Sequence, residues 1–349
     1  AEVLVREHSA IASNQRDSIV ASPVNEEGIR AFLDGENWPL GLIQTYVENA
    51  NKVGFRYFII DDSGSMNNPD GQLPYSNSRI PVTRWDELRE AMKWHVDAVC
   101  ASNLPSEFRF LNGAEAIRLG GDYDRDGVGH ATIEAVFNEG PRGTTPLCHH
   151  MKKVIEDVKI HERELRSKRQ LAVVMIATDG MSSDGDLVKA MKPLEQLPVW
   201  VVVKLCTDDD GVVQFWNDID AQLELDIEVL DDFNSEAAEI TQHNSFITYG
   251  LPLHRMREHG LVKKEFDLLD EAPLTAEQMR TVVQCVIGGA PSSYPHPAVD
   301  FKGFYAAVQG TNAMNDRVRD PMRRNQEHRW INEKELWAHY APNQGCSIF

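Results

Sequence analysis

Phe55-Arg56-Tyr57-Phe58-Ile59-Ile60-Asp61-Asp62-Ser63-Gly64-Ser65-Met66 decides the fold. Its apolar run, rich in β-branched and aromatic residues, reads as a buried strand. The carboxylate and the Gly-punctuated turn that end the run deliver Asp61 to a sheet edge. In Asp61-x-Ser63-x-Ser65 the hydroxyl residues alternate, so one turn aims two neutral oxygens and one carboxylate at a common point. Oxygen alone, without sulfur or imidazole, is the donor set of a hard cation. Taken by itself the pattern is short, and a plain Ser/Gly turn after a strand explains it more economically.

Two stretches downstream shift that balance. Gly143-Thr144-Thr145-Pro146-Leu147 opens a helix, and Leu171-Ala172-Val173-Val174-Met175-Ile176-Ala177-Thr178-Asp179-Gly180 is a second apolar strand ending in Asp-Gly. In order and spacing the three segments resemble the metal-ion-dependent adhesion site of von Willebrand factor type A domains, the module also seen as the inserted domain of integrins. The resemblance covers roughly residues 53–245. It implies that Ser63, Ser65 and Thr145 hold a metal, with Asp61 and Asp179 in the shell, often through water. Thr145 is carried over rather than Thr144 because it directly precedes Pro146-Leu147. Mg²⁺ suits such a set, since it keeps several waters and needs few protein oxygens; Mn²⁺ is an alternative and Ca²⁺ fits less well. One position is left for an Asp or Glu of a protein partner, or of a second copy of the chain. The expected function is therefore a non-enzymatic, metal-dependent protein-binding module.

The alternative is a metal-dependent hydrolase, phosphohydrolase-like, with Asp61 as nucleophile. Phosphatases of the haloacid dehalogenase type place a second Asp two residues on, where this chain has Ser63. Asp-Ser-Gly-Ser is not a nucleophile elbow either. None of the twelve histidines is placed by sequence beside a nucleophile.

Outward from the first strand the pattern alternates. After a polar insert, residues 67–79, helical spacing of Trp85, Leu88, Met92, Val96 and Val99 predicts an amphipathic helix over 84–102. Strands follow at 107–112 and 116–119, the second returning antiparallel, then helices at 131–138 and 146–168. Beyond the strand ending at Asp179 come a helix at 186–196, a strand at 198–205, a helix at 212–222, a strand at 226–230 and a helix at 235–243. Near-continuous apolar strands between amphipathic helices predict a doubly wound, mostly parallel α/β sheet covered on both faces. Ligands of such folds bind beyond the carboxyl ends of the strands, where Asp61 and Asp179 lie. Residues 1–52 read as an arm with two short helices broken at Trp38-Pro39. Residues 246–349 read as a helical C-terminal appendage, with helices at 254–259, 275–287, 300–311 and 334–340.

With 349 residues, 42% hydrophobic and 26% charged, the chain has an ordinary globular composition. No run of eighteen apolar residues predicts a transmembrane segment, and the expected location is cytoplasmic. The net charge of −19 falls entirely on residues 1–249, since residues 250–349 hold twelve Lys/Arg and twelve Asp/Glu. Such an acidic body repels nucleic acid. Five dispersed cysteines without a Cys-x-x-Cys pair argue against zinc and a disulfide scaffold. Asp122-Tyr123-Asp124-Arg125-Asp126-Gly127 imitates an EF-hand opening, but Ile133 stands where the bidentate Glu belongs. Arg317, Arg319, Arg323, Arg324 and Arg329 form a basic patch diluted by acidic neighbours, which reads as a surface loop or a partner for the acidic body. Finally, Cys346-Ser347-Ile348-Phe349 has the C-a-a-X form, leaning toward geranylgeranylation, although Ser347 is not aliphatic. A lipid on Cys346 would give only weak, reversible membrane association; the other reading is a plain tail with a spare thiol.

Overall fold

The computed structural model describes residues 23–76, 81–113, 115–124 and 127–341. Cys346, part of the 67–79 insert, and Arg125 and Asp126 of the EF-hand imitation lie outside the described residues. By internal packing the chain forms two compact units. The first comprises the described residues up to Ile29, Asn49–Asp232 and Glu258–Val262; the second comprises Arg30–Glu48, Phe233–Arg257 and the described residues from Lys263 onward.

The first unit is built on a six-stranded sheet. In chain order its strands are β1 (Val53–Ile60), β2 (Ser106–Phe110), β3 (Ile117–Leu119), β4 (Leu171–Thr178), β5 (Val199–Leu205) and β6 (Ile227–Leu230). Their spatial order is β3-β2-β1-β4-β5-β6, all pairs parallel except the antiparallel β2–β3 edge. All eight residues of β1 are buried, as an apolar run without alternation requires of a strand covered on both faces. Alternate residues of each strand serve opposite faces. Tyr57 and Ile59, with Val174, Ile176, Val201 and Val203, pack on Met151, Val154 and Val158 of the helix Leu147–Lys168. Phe58 and Ile60, with Val173, Met175 and Val202, pack on Leu88, Met92 and Val96 of the helix Arg84–Ser102. The doubly wound α/β architecture expected from the sequence is therefore the one observed.

Among the described residues there are thirteen α-helices. The first eight are α1 (Glu26–Gly35), α2 (Leu40–Ala50), α3 (Arg84–Ser102), α4 (Val128–Glu139), α5 (Leu147–Lys168), α6 (Leu187–Met191), α7 (Asp210–Gln222) and α8 (Phe233–His243). The single helix expected at 186–196 is instead α6 followed by a 3-10 turn, Lys192–Gln196, with Pro193 at its start. Proline has no N–H to give the α ladder, so the helix tightens there.

In the second unit, α9 (Leu251–Glu258), α10 (Lys264–Glu271), α11 (Ala276–Ile287), α12 (Phe301–Gln309) and α13 (Glu333–Tyr340) follow α8 in the chain. The unit's core includes Phe246, Phe266, Val282, Phe304, Trp330 and Leu336. Arg257, fully buried, donates to Glu236 at 2.6 Å and Asp270 at 2.8 Å. The sequence reading left α10 unassigned. The arginine-rich 317–329 stretch, expected as a surface loop or a partner for the acidic body, is an antiparallel hairpin of β7 (Arg317–Asp320) and β8 (Gln326–Arg329). In β7 the arginines face solvent while Val318 and Asp320 point inward.

Candidate functional site

At the carboxyl end of β1 the backbone N–H of Asp61 still donates to Ala177 O of β4 at 2.9 Å, so the sheet carries both strands up to the site. Ser63 is extended, and Gly64–Asn67 forms one 3-10 turn pinned by buried Met66. Asp61 is wholly buried. Its Oδ1 accepts from Ser63 N at 2.9 Å and its Oδ2 from Thr178 Oγ1 at 2.6 Å. Burial drives the Asp61 carboxyl from its ordinary range up to about 6, against the pull of the Thr178 and Ser63 hydrogen bonds. With both oxygens engaged, this carboxylate shapes the turn and leaves the ligand face to its neighbours.

That face is a run of oxygens. Ser63 Oγ lies 3.0 Å from Ser65 Oγ, and Ser65 Oγ donates to Asp179 Oδ1 at 2.8 Å. Adjacent ligands of an octahedral Mg²⁺ with bonds of about 2.1 Å stand about 3 Å apart, so these oxygens fit a small hard cation in separation and in kind. Among the described residues no group of three or more His, Cys, Asp or Glu could hold a metal.

Thr145 comes from a neighbouring loop. Gly64 N donates to Gly143 O at 3.2 Å, which holds this loop against the Ser63–Ser65 turn. Gly143 has φ +88°, and a β-carbon there would run into the Asn112 amide, so glycine is required. The Thr145 backbone exchanges hydrogen bonds with Ser183, donating to its Oγ at 3.1 Å and accepting from its N at 2.8 Å. No hydrogen bond engages the Thr145 hydroxyl among the described residues. Just beyond it, Pro146 offers no side-chain cap to α5. Asp184 caps α5 instead, accepting from Cys148 N at 2.9 Å and His149 N at 2.8 Å. Burial opposes ionisation of Asp184, but these bonds and that from Ser182 outweigh it and hold the carboxyl below its usual range.

Several residues that build the site carry no sequence signal. Asp62 turns away from the oxygen run and accepts from both the backbone and side-chain N–H of Asn112, at 2.8 and 2.9 Å. Asn112 in turn grips the Thr144 backbone at both ends, which locks the two loops together. Most consequential is Arg84, the first residue of α3. Its Nη1 donates to Asp179 Oδ2 at 2.9 Å, while Nε and Nη2 make a fork onto Asp70 at 2.7 and 2.6 Å. Asp70 belongs to the polar insert, to which the sequence reading gave no role.

No family model matches the chain, and no curated protein matches it. Among solved structures the chain is similar to the conserved hypothetical protein BatB from Bacteroides thetaiotaomicron, at 14% identity and a TM-score of 0.33, over 58% of this chain and 98% of that one. It is also similar to the manganese-loaded TRAP protein of Plasmodium vivax, at 19% identity and a TM-score of 0.32, over 52% of this chain and 69% of that one.

Proposed function

We propose that this protein is a non-enzymatic binding module in which Mg²⁺, or Mn²⁺ in its place, is held by Ser63, Ser65 and Thr145 with Asp61 and Asp179 behind them. The observation that carries this reading is the unbroken run Ser63 Oγ, Ser65 Oγ, Asp179 Oδ1 at 3.0 and 2.8 Å, beyond the carboxyl ends of β1 and β4. When bound, the cation supplies strong Lewis acidity toward one further oxygen ligand, which a partner's Asp or Glu is suited to provide. The chain's own part is to hold the oxygens. Asp61 fixes the turn through Ser63 N, and Asn112 fastens the Thr145 loop to Asp62.

A hydrolase acting through Asp61 fits the geometry less well. The carboxylate is fully buried and each of its oxygens already accepts a hydrogen bond, from Ser63 N and Thr178 Oγ1, so it is not presented at the surface to a substrate.

Asp179→Ala is expected to abolish Mg²⁺ and Mn²⁺ binding while leaving the far-ultraviolet spectrum unchanged; unaltered affinity by isothermal titration would overturn the assignment. Capture of a protein partner, or of a second copy of the chain, is expected in Mg²⁺ and lost in chelator. Capture indifferent to chelator would remove the metal from the mechanism.

A further inference from the structure

We propose that Arg84 is a built-in competitor for the cation, neutralising Asp179 while the metal is absent and giving it up when the metal binds. This rests on reading the Ser63–Asp179 oxygens as a cation site. The Asp179 side chain has no exposed surface, and a carboxylate so placed needs a counter-charge close by. Arg84 supplies it: one N–H of its guanidinium reaches Asp179 Oδ2 at 2.9 Å, and its side chain is only 11% exposed. A divalent ion drawn to the other oxygen of the same carboxylate meets that positive charge across a few ångströms. The two positive charges repel one another across that short distance, so arginine and metal bind in opposition.

The rest of the contact set shows how the exchange is made cheap. Arg84 holds Asp70 through a two-bond fork at 2.7 and 2.6 Å and Asp179 through a single bond, so it can release Asp179 without losing its own ion pair. Asp70 is 45% exposed and sits outside the oxygen run, a parking place that costs little desolvation. The backbone of Arg84 stays fixed meanwhile. It follows Thr83, whose hydroxyl and N–H are locked with Asp86 in a capping box at the start of α3. The guanidinium therefore swings about a fixed point between one carboxylate and two.

The consequences have opposite signs at the two ends of the contact. Removing the competitor with Arg84→Met is expected to tighten Mn²⁺ binding at least tenfold by isothermal titration. It should also lower the melting temperature of the metal-free chain and enlarge the rise that saturating Mn²⁺ produces. Removing the parking place with Asp70→Asn is expected to weaken Mn²⁺ several-fold, because Arg84 then has Asp179 as its remaining carboxylate. An arginine that only braced the fold would weaken binding, or leave it unchanged, in Arg84→Met. If Arg84→Met does not fold, unchanged or tighter binding in Asp70→Asn overturns the proposal. Wild-type binding that Arg84→Met fails to tighten overturns the competition but not the metal site. No Mn²⁺ binding by either the wild type or Arg84→Met overturns both.

Discussion

Asp61 is a carboxylate kept where water does not reach, and its displacement to about 6 has a definite sign. Well below pH 4 the group is protonated in folded and unfolded chains alike. As pH rises toward 6 the unfolded chain loses the proton first, so the metal-free fold forfeits stability over that interval, by about 3 kcal/mol when complete. Asp61→Asn should erase this loss, and its urea midpoint relative to wild type is expected to climb between pH 4 and 6. A constant difference across that interval would mean that Asp61 titrates normally. The proposed cation would require the ionised form, so wild-type Mg²⁺ affinity should fall as pH drops from 7.5 to 5.5. His150 works in the opposite direction. Burial lowers it to about 4, and a neutral imidazole whose Nε2 donates to Leu111 O at 3.0 Å loses stability as acid protonates it. At this scale the sequence was informative for Asp61, Ser63 and Ser65, whose spacing in one turn is itself geometry. It was silent on Arg84, because a salt bridge to Asp179 spans 95 positions and leaves no local trace.

Elements were legible wherever hydrophobic period dominated. The parallel strands announced themselves as apolar runs, and α3 begins and ends where its spacing placed it, at Arg84 and Ser102. What failed was pattern carried by polar residues. In β7 the alternation is Arg317 and Arg319 outward, Val318 and Asp320 inward, a period of two with a charge on each face, which hydrophobicity does not register. The α10 helix buries Phe266, Asp267 and Leu269 within eight residues, too short a stripe among five charges to stand out. The junction of loop and helix at Thr83 offers a test. Its hydroxyl accepts from Asp86 N at 3.1 Å and its own N–H donates to Asp86 Oδ2 at 3.1 Å. Thr83→Ala should cost about 1 kcal/mol in urea denaturation. No loss of stability would show that α3 is held by its packing on the sheet alone.

The first unit is not one run of chain. Glu258–Val262 returns to it from a distant part of the sequence, and no reading of periodicity could have shown that. Glu258 brings its carboxylate to within 2.9 Å of Lys204 Nζ on β5, on the sheet face that α3 covers, with Glu87 of α3 at 3.6 Å from the same nitrogen. Next in sequence, His259 lies nearly coplanar with His95, edge to edge, their Nδ1 atoms 2.9 Å apart in a hydrogen bond, and its backbone carbonyl accepts from Arg56 Nε of β1 at 3.2 Å. Lys204 and Glu258 are almost fully enclosed, so neither charge can turn to water if its partner is lost. Breaking such a pair from one side usually costs about 3–5 kcal/mol, whereas replacing both ions with apolar groups of similar size is often neutral. Glu258→Gln in the full chain is therefore expected to be severely destabilising, and Lys204→Met combined with Glu258→Met and Glu87→Gln to recover most of the loss. The same logic reaches residues 53–245, the span of the family resemblance, when made as a fragment. That fragment retains Lys204 and lacks Glu258, so it should unfold at lower urea than the full chain, and Lys204→Met should raise its midpoint. A fragment made less stable by Lys204→Met would show that Glu87 alone satisfies the lysine, and that the returning segment is not needed to complete the sheet's core.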